Sequence, residues 1–258
     1  MRQLRRIVVI VAVTLATLFI GAEWVAPVVM SIETARKPPR DARLVPVELQ
    51  DLTISQAPGR KLSYVGYEFE IPWNDLDQTK TEVHGGMVVL SFRSGLKMIV
   101  GASPPKLWVH SLFSDSRVTQ ARLQLTFGAE TMGSDYNFLK MLYQFTPEQM
   151  HIWALSSRVH YRESMLLLLK SAALSPSAET GFFYIHNQDY RGFQEGDPKN
   201  TPIIMVRLYS DEGEIEFTIF RAGHQNLVGV SQAEINRIVQ SLRKPADAAS
   251  IVSTAAAR

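Results

Sequence analysis

The chain of 258 residues contains no cysteine. Disulfides, thiolate metal sites, a cysteine nucleophile and a lipid-modified N-terminal cysteine are thereby excluded. Charge of one sign is also in short supply. The net charge is +2, and Arg2, Arg5 and Arg6 all precede the first apolar segment, so the remainder is close to neutral. Nucleic-acid binding draws much of its affinity from a basic face, and no dense Lys/Arg stripe follows residue 60, so no nucleic-acid partner is expected. The phosphate-cradling glycine patterns, Gly-x-Gly-x-x-Gly and the lysine-containing loop, do not occur, and no cofactor is expected. No Gly-x-Ser-x-Gly provides a nucleophile turn, which leaves His84-Gly85-Gly86 as a turn rather than an oxyanion loop. Histidines at 84, 110, 151, 160, 186 and 224 never fall one helical turn apart, so no two imidazoles face a common zinc position. Neither a catalytic set nor a metal site is read from the sequence.

What is present reads as a globular protein, 46% apolar and 20% charged. One long apolar run stands out. Residues 1–6 form a basic tail, and Ile7 to Ala22 then continue without a charge. As a helix that run spans about 24 Å at 1.5 Å per residue, and Glu23, Trp24, Val25 and Ala26 extend it toward the roughly 30 Å hydrocarbon core. Residues 7–32 are therefore expected to be a transmembrane signal-anchor. The alanines at 12, 16, 22, 26 and 35 are never two apart, so the small-residue pair of a cleavage site is missing. Arg36, Lys37, Arg40 and Arg43 nearly offset the arginines before the run, and orientation rests on the short basic tail staying in place while a long domain is translocated. The expected location is the cytoplasmic membrane of a bacterial-type cell, single-pass, with the domain on the extracytoplasmic, periplasmic side.

The prolines at 38, 39, 46 and 58 mark residues 33–60 as an extended stalk. Residues 61–244 make the exported domain, and residues 245–258, rich in Ala, Ser and Thr, make a disordered tail. Near-alternating residues from Lys61 to Ile71 predict a strand that ends at Pro72, followed by strands over Met87 to Phe92 and Leu96 to Val100 joined at Ser94-Gly95. A helical block follows. Ser134 or Asp135 caps a helix bearing Phe138, Leu139, Leu142 and Phe145; Thr146 to Gln149 is a capping box; Tyr161 to Ala172 carries a stripe of Tyr161, Met165, Leu168, Leu169 and Ala172. Strands return over Phe182 to Asn187, Ile203 to Tyr209 and Glu214 to Phe220, the last with a wet face at Glu214, Glu216 and Thr218. A capping box of Ser231 and Glu234 opens a final helix whose stripe is Ile235, Ile238, Val239 and Leu242.

The expected fold class is α+β, an antiparallel sheet packed against helices and preceded by one N-terminal transmembrane helix. In layout the chain resembles the Mog1/PsbP-like α+β sandwiches, through Tyr67-Glu68-Phe69-Glu70-Ile71-Pro72-Trp73, the strand Glu214 to Phe220 and the helix Ser231 to Leu242. The resemblance implies an accessory or binding role. The paired middle helices depart from that layout and leave strand order open.

The most unusual stretch runs from Tyr190 to Pro198, where aromatics, an arginine, an amide and a carboxylate crowd between glycines. As a loop it offers Tyr190, Arg191, Phe193, Gln194 and Asp197 as ligand-binding candidates. Read structurally it is a tight turn with Phe193 in the core and Arg191 paired to Asp197 or Glu195. The carboxylate pairs Asp75-x-Asp77 and Glu214-x-Glu216 show no sign of the desolvation that acid–base chemistry needs. The reading that results is a noncatalytic, membrane-anchored envelope protein whose exported domain binds a protein or small-molecule ligand. The alternative is a hydrolytic enzyme using a polar cluster near residues 186–198, with His186 and Asp189 in it.

Overall fold

The computed structural model describes residues 25–105, 120–221 and 229–245. The apolar run from Ile7 to Ala22 and the tail after Pro245 lie outside the described residues. Among those described, no helix is long and apolar enough to cross a membrane.

In chain order the strands are β1 (Val47–Glu48), β2 (Arg60–Tyr64), β3 (Tyr67–Ile71), β4 (Glu82–His84), β5 (Met87–Ser91), β6 (Leu96–Ser103), β7 (Phe182–His186), β8 (Arg191–Glu195), β9 (Ile203–Ser210) and β10 (Gly213–Arg221). The longer helices are α1 (Gln120–Phe127), α2 (Asp135–Gln144), α3 (Ser157–Ala173) and α4 (Gln232–Ser241), and residues 25–36 are also helical. Eight strands form one sheet in the order β1-β7-β8-β9-β10-β6-β5-β4, and β2 with β3 forms a separate hairpin. The fold is thus mixed α+β. The pairings in the large sheet are antiparallel except that of β1 with β7, which is parallel.

Each face of the sheet is covered differently. On one face Ile204, Val206 and Leu208 of β9, Ile215, Phe217 and Ile219 of β10 and Leu96, Met98 and Val100 of β6 are buried. The β2–β3 hairpin and α4 pack over them, with Phe69 edge-on to Phe217 at 5.3 Å. α4 supplies the expected stripe of Ile235, Ile238, Val239 and Leu242, and its N-terminus carries the expected Ser231–Glu234 capping box. On the other face α1, α2 and α3 bring Leu123, Phe138, Leu142 and Leu166 onto Phe182, Phe193 and Tyr209 of β7, β8 and β9. Strands β7 to β9 are therefore covered on both faces.

Several sequence expectations change. Lys61 to Ile71 is a hairpin, not one strand: Val65 (φ 50°) and Gly66 (φ 83°) both take positive φ, the condition for the tight primed turn, although a β-branched residue pays a steric cost there. The stripe expected on α3 is displaced. Leu168 is exposed, and the buried side carries His160, Glu163, Ser164, Leu166, Leu167, Lys170 and Ala173. Three of these polar groups have partners that make burial tolerable: His160 Nε2 with the Ala154 carbonyl (2.7 Å), Glu163 with His151, and Lys170 Nζ donating to the carbonyls of Ala42 (3.0 Å) and Phe145 (2.8 Å).

The stalk is the largest correction. Residues 40–57 wrap the domain instead of standing off it. Arg40 and Arg43 pair with Glu179 (2.8 Å) and Glu148 (2.7 Å), Ala42 is fully buried, and β1 adds to the sheet edge. Asn236 of α4 donates to the carbonyls of Asp51 (2.7 Å) and Thr53 (2.9 Å), and Arg237 to those of Ser55 (3.1 Å) and Ala57. Apart from a short 3-10 turn at Arg40–Arg43 and the strand β1 the segment is irregular, and donors from the domain satisfy its backbone carbonyls. Even the helical residues 25–36 bury Ser31 and Thr34, within the expected anchor and stalk.

Truncating Ile238 to Ala removes a fully packed side chain and is expected to cost about 2–5 kcal/mol. Gln240, on the outer side of α4, donates only one exposed hydrogen bond to the His186 carbonyl (2.9 Å); its change to Ala is expected to cost no more than about 1 kcal/mol. Equal shifts of the two chemical-unfolding midpoints would contradict the packing of α4 on the sheet.

Candidate functional site

The nominated stretch is not a loop. Residues Arg191–Glu195 are β8, inside the large sheet, and side chains along a strand alternate between its faces. Phe193 enters the helical layer, where Tyr143 meets it edge-on at 4.9 Å and Tyr136 stacks on it at 5.5 Å. Gln194 points to the opposite face, where its amide and that of Gln232 exchange hydrogen bonds of 2.8 and 2.9 Å. Tyr190 joins the hairpin-side core, edge-on to Tyr67 at 6.2 Å. Asp197 organises the turn after β8, accepting from the Lys199 N–H (3.0 Å) and the Asn200 amide (3.0 Å). Only Arg191 remains both exposed and on the strand, its guanidinium 5.7 Å over the Tyr136 ring. Glu195 pairs with Arg207 (3.5 Å). Gly192, read as a loop glycine, is required by close strand approach: a Cβ there would stand 1.8 Å from the Arg207 carbonyl oxygen.

Two of the five nominated residues do meet. Tyr190 and Arg191 line a groove of about 540 Å³ at the β1–β7–β8 end of the sheet, together with Glu48, Tyr136, Lys140, His186 and Asp189. Its geometry is fixed by Asn187, whose side-chain oxygen accepts from the N–H groups of Asp189 (2.9 Å) and Tyr190 (2.8 Å). The Asn187 amide in turn donates to the carbonyls of Val239 (2.7 Å) and Leu242 (3.2 Å), tying the β7–β8 connection to the end of α4. The groove presents two cations, Lys140 and Arg191, and two anions, Glu48 and Asp189, around a tyrosine wall. Among its described lining residues there is no Ser, Thr or Cys to act as a nucleophile. A wider hollow of about 870 Å³ lies by the β2–β3 and β9–β10 turns, but among its described residues the one cation, Lys244, is already paired with Glu212 (2.8 Å).

Behind the groove the sheet carries a buried ionic cluster that the sequence reading missed. The register places His186, Arg191, Tyr209 and Glu214 in one row across β7, β8, β9 and β10. In the adjacent row Arg207 donates to Glu216 (3.2 Å), Tyr143 Oη (3.4 Å) and the Ala173 carbonyl (3.3 Å). Burial works against its charge, yet Tyr143, Glu195, Tyr209 and Glu216 more than offset this and hold Arg207 protonated. Burial pushes the Glu195 carboxyl up, against the pull of Arg207 and of the Ser175 N–H, which donates to it at 2.7 Å.

Glu214 was expected on a wet strand face and is instead half-buried. Burial pushes its carboxyl up to about 7; Arg207 pulls the other way, and Glu216 and Asp135 add like charge. Asp135 is itself buried at the first turn of α2. The signal that could have found this site is the Glu-x-Glu pair opposite Arg207 and Tyr209 on a neighbouring strand; only the helical layer, invisible to a strand-by-strand reading, removes the water. Among the described residues no group of His, Asp or Glu is placed to hold a metal ion. Compared with known proteins, the chain matches no family model, no curated protein and no solved structure.

Because Glu214 sits at about 7 when folded against an ordinary 4.5, the folded chain binds more protons than the unfolded one in that window. Its contribution to stability is complete below pH 4.5 and is lost as pH rises through 7. Replacement by Gln keeps the shape of the neutral acid. Glu214→Gln is expected to flatten that part of the stability curve and to raise the melting temperature at about pH 8 more than in acid. A thermal-unfolding series with the same slope in both proteins would contradict the desolvation of Glu214.

Proposed function

We propose that this chain is a noncatalytic envelope protein, anchored by residues 7–32, whose α+β domain lies on the extracytoplasmic side and binds a small polar ligand. The observation that carries the binding role is the convergence of Arg191, Lys140, Glu48 and Asp189 on one groove walled by tyrosine. Paired cations and anions in a half-enclosed site suit a ligand that carries both charges, such as an amino acid or a short peptide end. An accessory role of this kind is also what the Mog1/PsbP-like resemblance implies. The anchor and the location rest on the uncharged run from Ile7 to Ala22 behind three arginines.

Binding is favoured over hydrolysis by the groove's lining, which offers charge pairs but, among its described residues, no Ser, Thr or Cys side chain. The desolvated carboxylates Glu195 and Glu214 belong to the ionic cluster and do not line the groove.

Thermal-shift measurements with a panel of amino acids and dipeptides are expected to find a stabilising ligand. That shift should disappear in Arg191→Ala and persist in Asp197→Asn, since Asp197 organises a turn outside the groove. A shift untouched by Arg191→Ala would overturn the site. Protease added to intact spheroplasts is expected to degrade the domain; degradation only after lysis would overturn its location.

A further inference from the structure

The loop between the Pro147–Gln149 turn and α3 exposes two large apolar side chains almost completely: Trp153 is 89% and Leu155 90% exposed. Exposure of one such residue is ordinary, but two on one short loop are a substantial apolar feature in water. The loop is not slack. His151 donates its backbone N–H to Glu163 (2.7 Å), and its ring nitrogen Nδ1 meets the other oxygen of the same buried carboxylate at 2.6 Å. The Ala154 N–H returns to the His151 carbonyl (2.9 Å), and the Ala154 carbonyl meets the buried His160 ring (2.7 Å). Ala154 is thus pinned at both its backbone groups, and the side chains on either side of it are held outward.

The exposed charge on this tip itself is basic, because the flanking Glu163 is buried against His151 and Glu148 is paired with Arg43. From Met150 to Arg162 there is no Asp or Glu, while Arg158 and Arg162 are exposed on the first turns of α3. An indole and an isobutyl group backed by two guanidinium groups match the boundary of a bilayer, where aromatic rings are favoured and arginines meet phosphate and anionic headgroups. The same chain carries an apolar run, Ile7 to Ala22, of membrane composition. Between that run and the first contact of the strap at Arg40 stand the helical residues 25–36, which span about 18 Å at 1.5 Å per residue. Arg43 of the strap holds Glu148 in the turn that leads directly into the loop.

We propose that the Trp153–Leu155 loop is a second membrane contact, inserting its two apolar side chains into the interface of an anionic bilayer while Arg158 and Arg162 meet the headgroups. This rests on the anchored reading of residues 7–32. The loop would restrain the domain against the membrane surface and limit the orientations in which the groove is presented.

Because the chain has no cysteine, single-cysteine labelling has no background. The full chain is reconstituted into phosphatidylglycerol-containing vesicles with an environment-sensitive fluorophore at Leu155→Cys, and separately at Ala16→Cys in the apolar run and at exposed Lys199→Cys. The label at 155 is expected to shift to the blue and to lose intensity to a lipid-borne quencher, as the label at 16 does, while the label at 199 stays accessible to aqueous iodide. A response at 16 with 155 behaving like 199 would overturn the loop contact and leave the anchor standing. Silence at both 16 and 155 would overturn the two together. A blue shift at 155 that iodide cannot reach and lipid quencher does not touch would identify a protein partner, and would equally overturn the membrane contact.

Discussion

A guanidinium set into the middle of a β-sheet has to be surrounded, and what surrounds Arg207 ties the two halves of this molecule together. Its partners come from β8 (Glu195), β10 (Glu216), α2 (Tyr143) and the end of α3 (the Ala173 carbonyl). Losing one member of such a buried set leaves the others desolvated and unpaired, which typically costs roughly 3–5 kcal/mol. The helical layer therefore has a fixed seat on β7, β8 and β9 in addition to its apolar packing on the sheet. That seat encloses Glu214 and Tyr209 and, at its edge, places Tyr136 and Lys140 of α2 beside Arg191 to make the groove.

How much of this was legible in the sequence depended on whether an element had a wet side. β10 alternates Ile215, Phe217 and Ile219 with polar residues, and α4 repeats its apolar stripe behind a capping box, so the apolar side of each was legible; the polar side of β10, where Glu214 is drawn into the ionic cluster, was not. β8 has protein on both faces. Its Arg191-Gly192-Phe193-Gln194-Glu195 shows neither alternation nor an apolar run, since its buried polar groups are satisfied by Gln232, Arg207 and the Ser175 N–H. Glycine added to the misreading: Gly192 is there for the approach of β9, not for a turn. The same cause hid the inner side of α3, where Glu163 is buried against His151 and Lys170 against the carbonyl of Ala42, far away in the chain.

The candidate site was legible only in part for a related reason. Sequence proximity placed Tyr190, Arg191, Phe193, Gln194 and Asp197 together, and strand geometry sends them to different faces. The groove that does form draws on β1, α2 and β7, three segments that are well separated along the chain. Pairing residues 40–57 with the domain also reverses the idea of a long tether: the strap that holds Ala42 through Lys170 brings the path of the N-terminal segment close to the domain surface. Lys170 carries the expense of that burial, its ammonium pulled down to about 8 by desolvation with Glu148 partly offsetting it.

The claim on which the rest stands is that β8 is a strand covered on both faces and seated around Arg207. Native-state hydrogen exchange on residues 191–195 tests it most directly. Ladder amides in a doubly covered strand exchange only on opening of large free energy, near that of global unfolding. The N–H groups of this segment that bond to β7 and β9 are expected to be among the slowest in the chain, with those of residues 197–200 much faster. Exchange of the 191–195 amides at the rate of an exposed turn would contradict the strand, the seat of the helical layer and the groove built upon it.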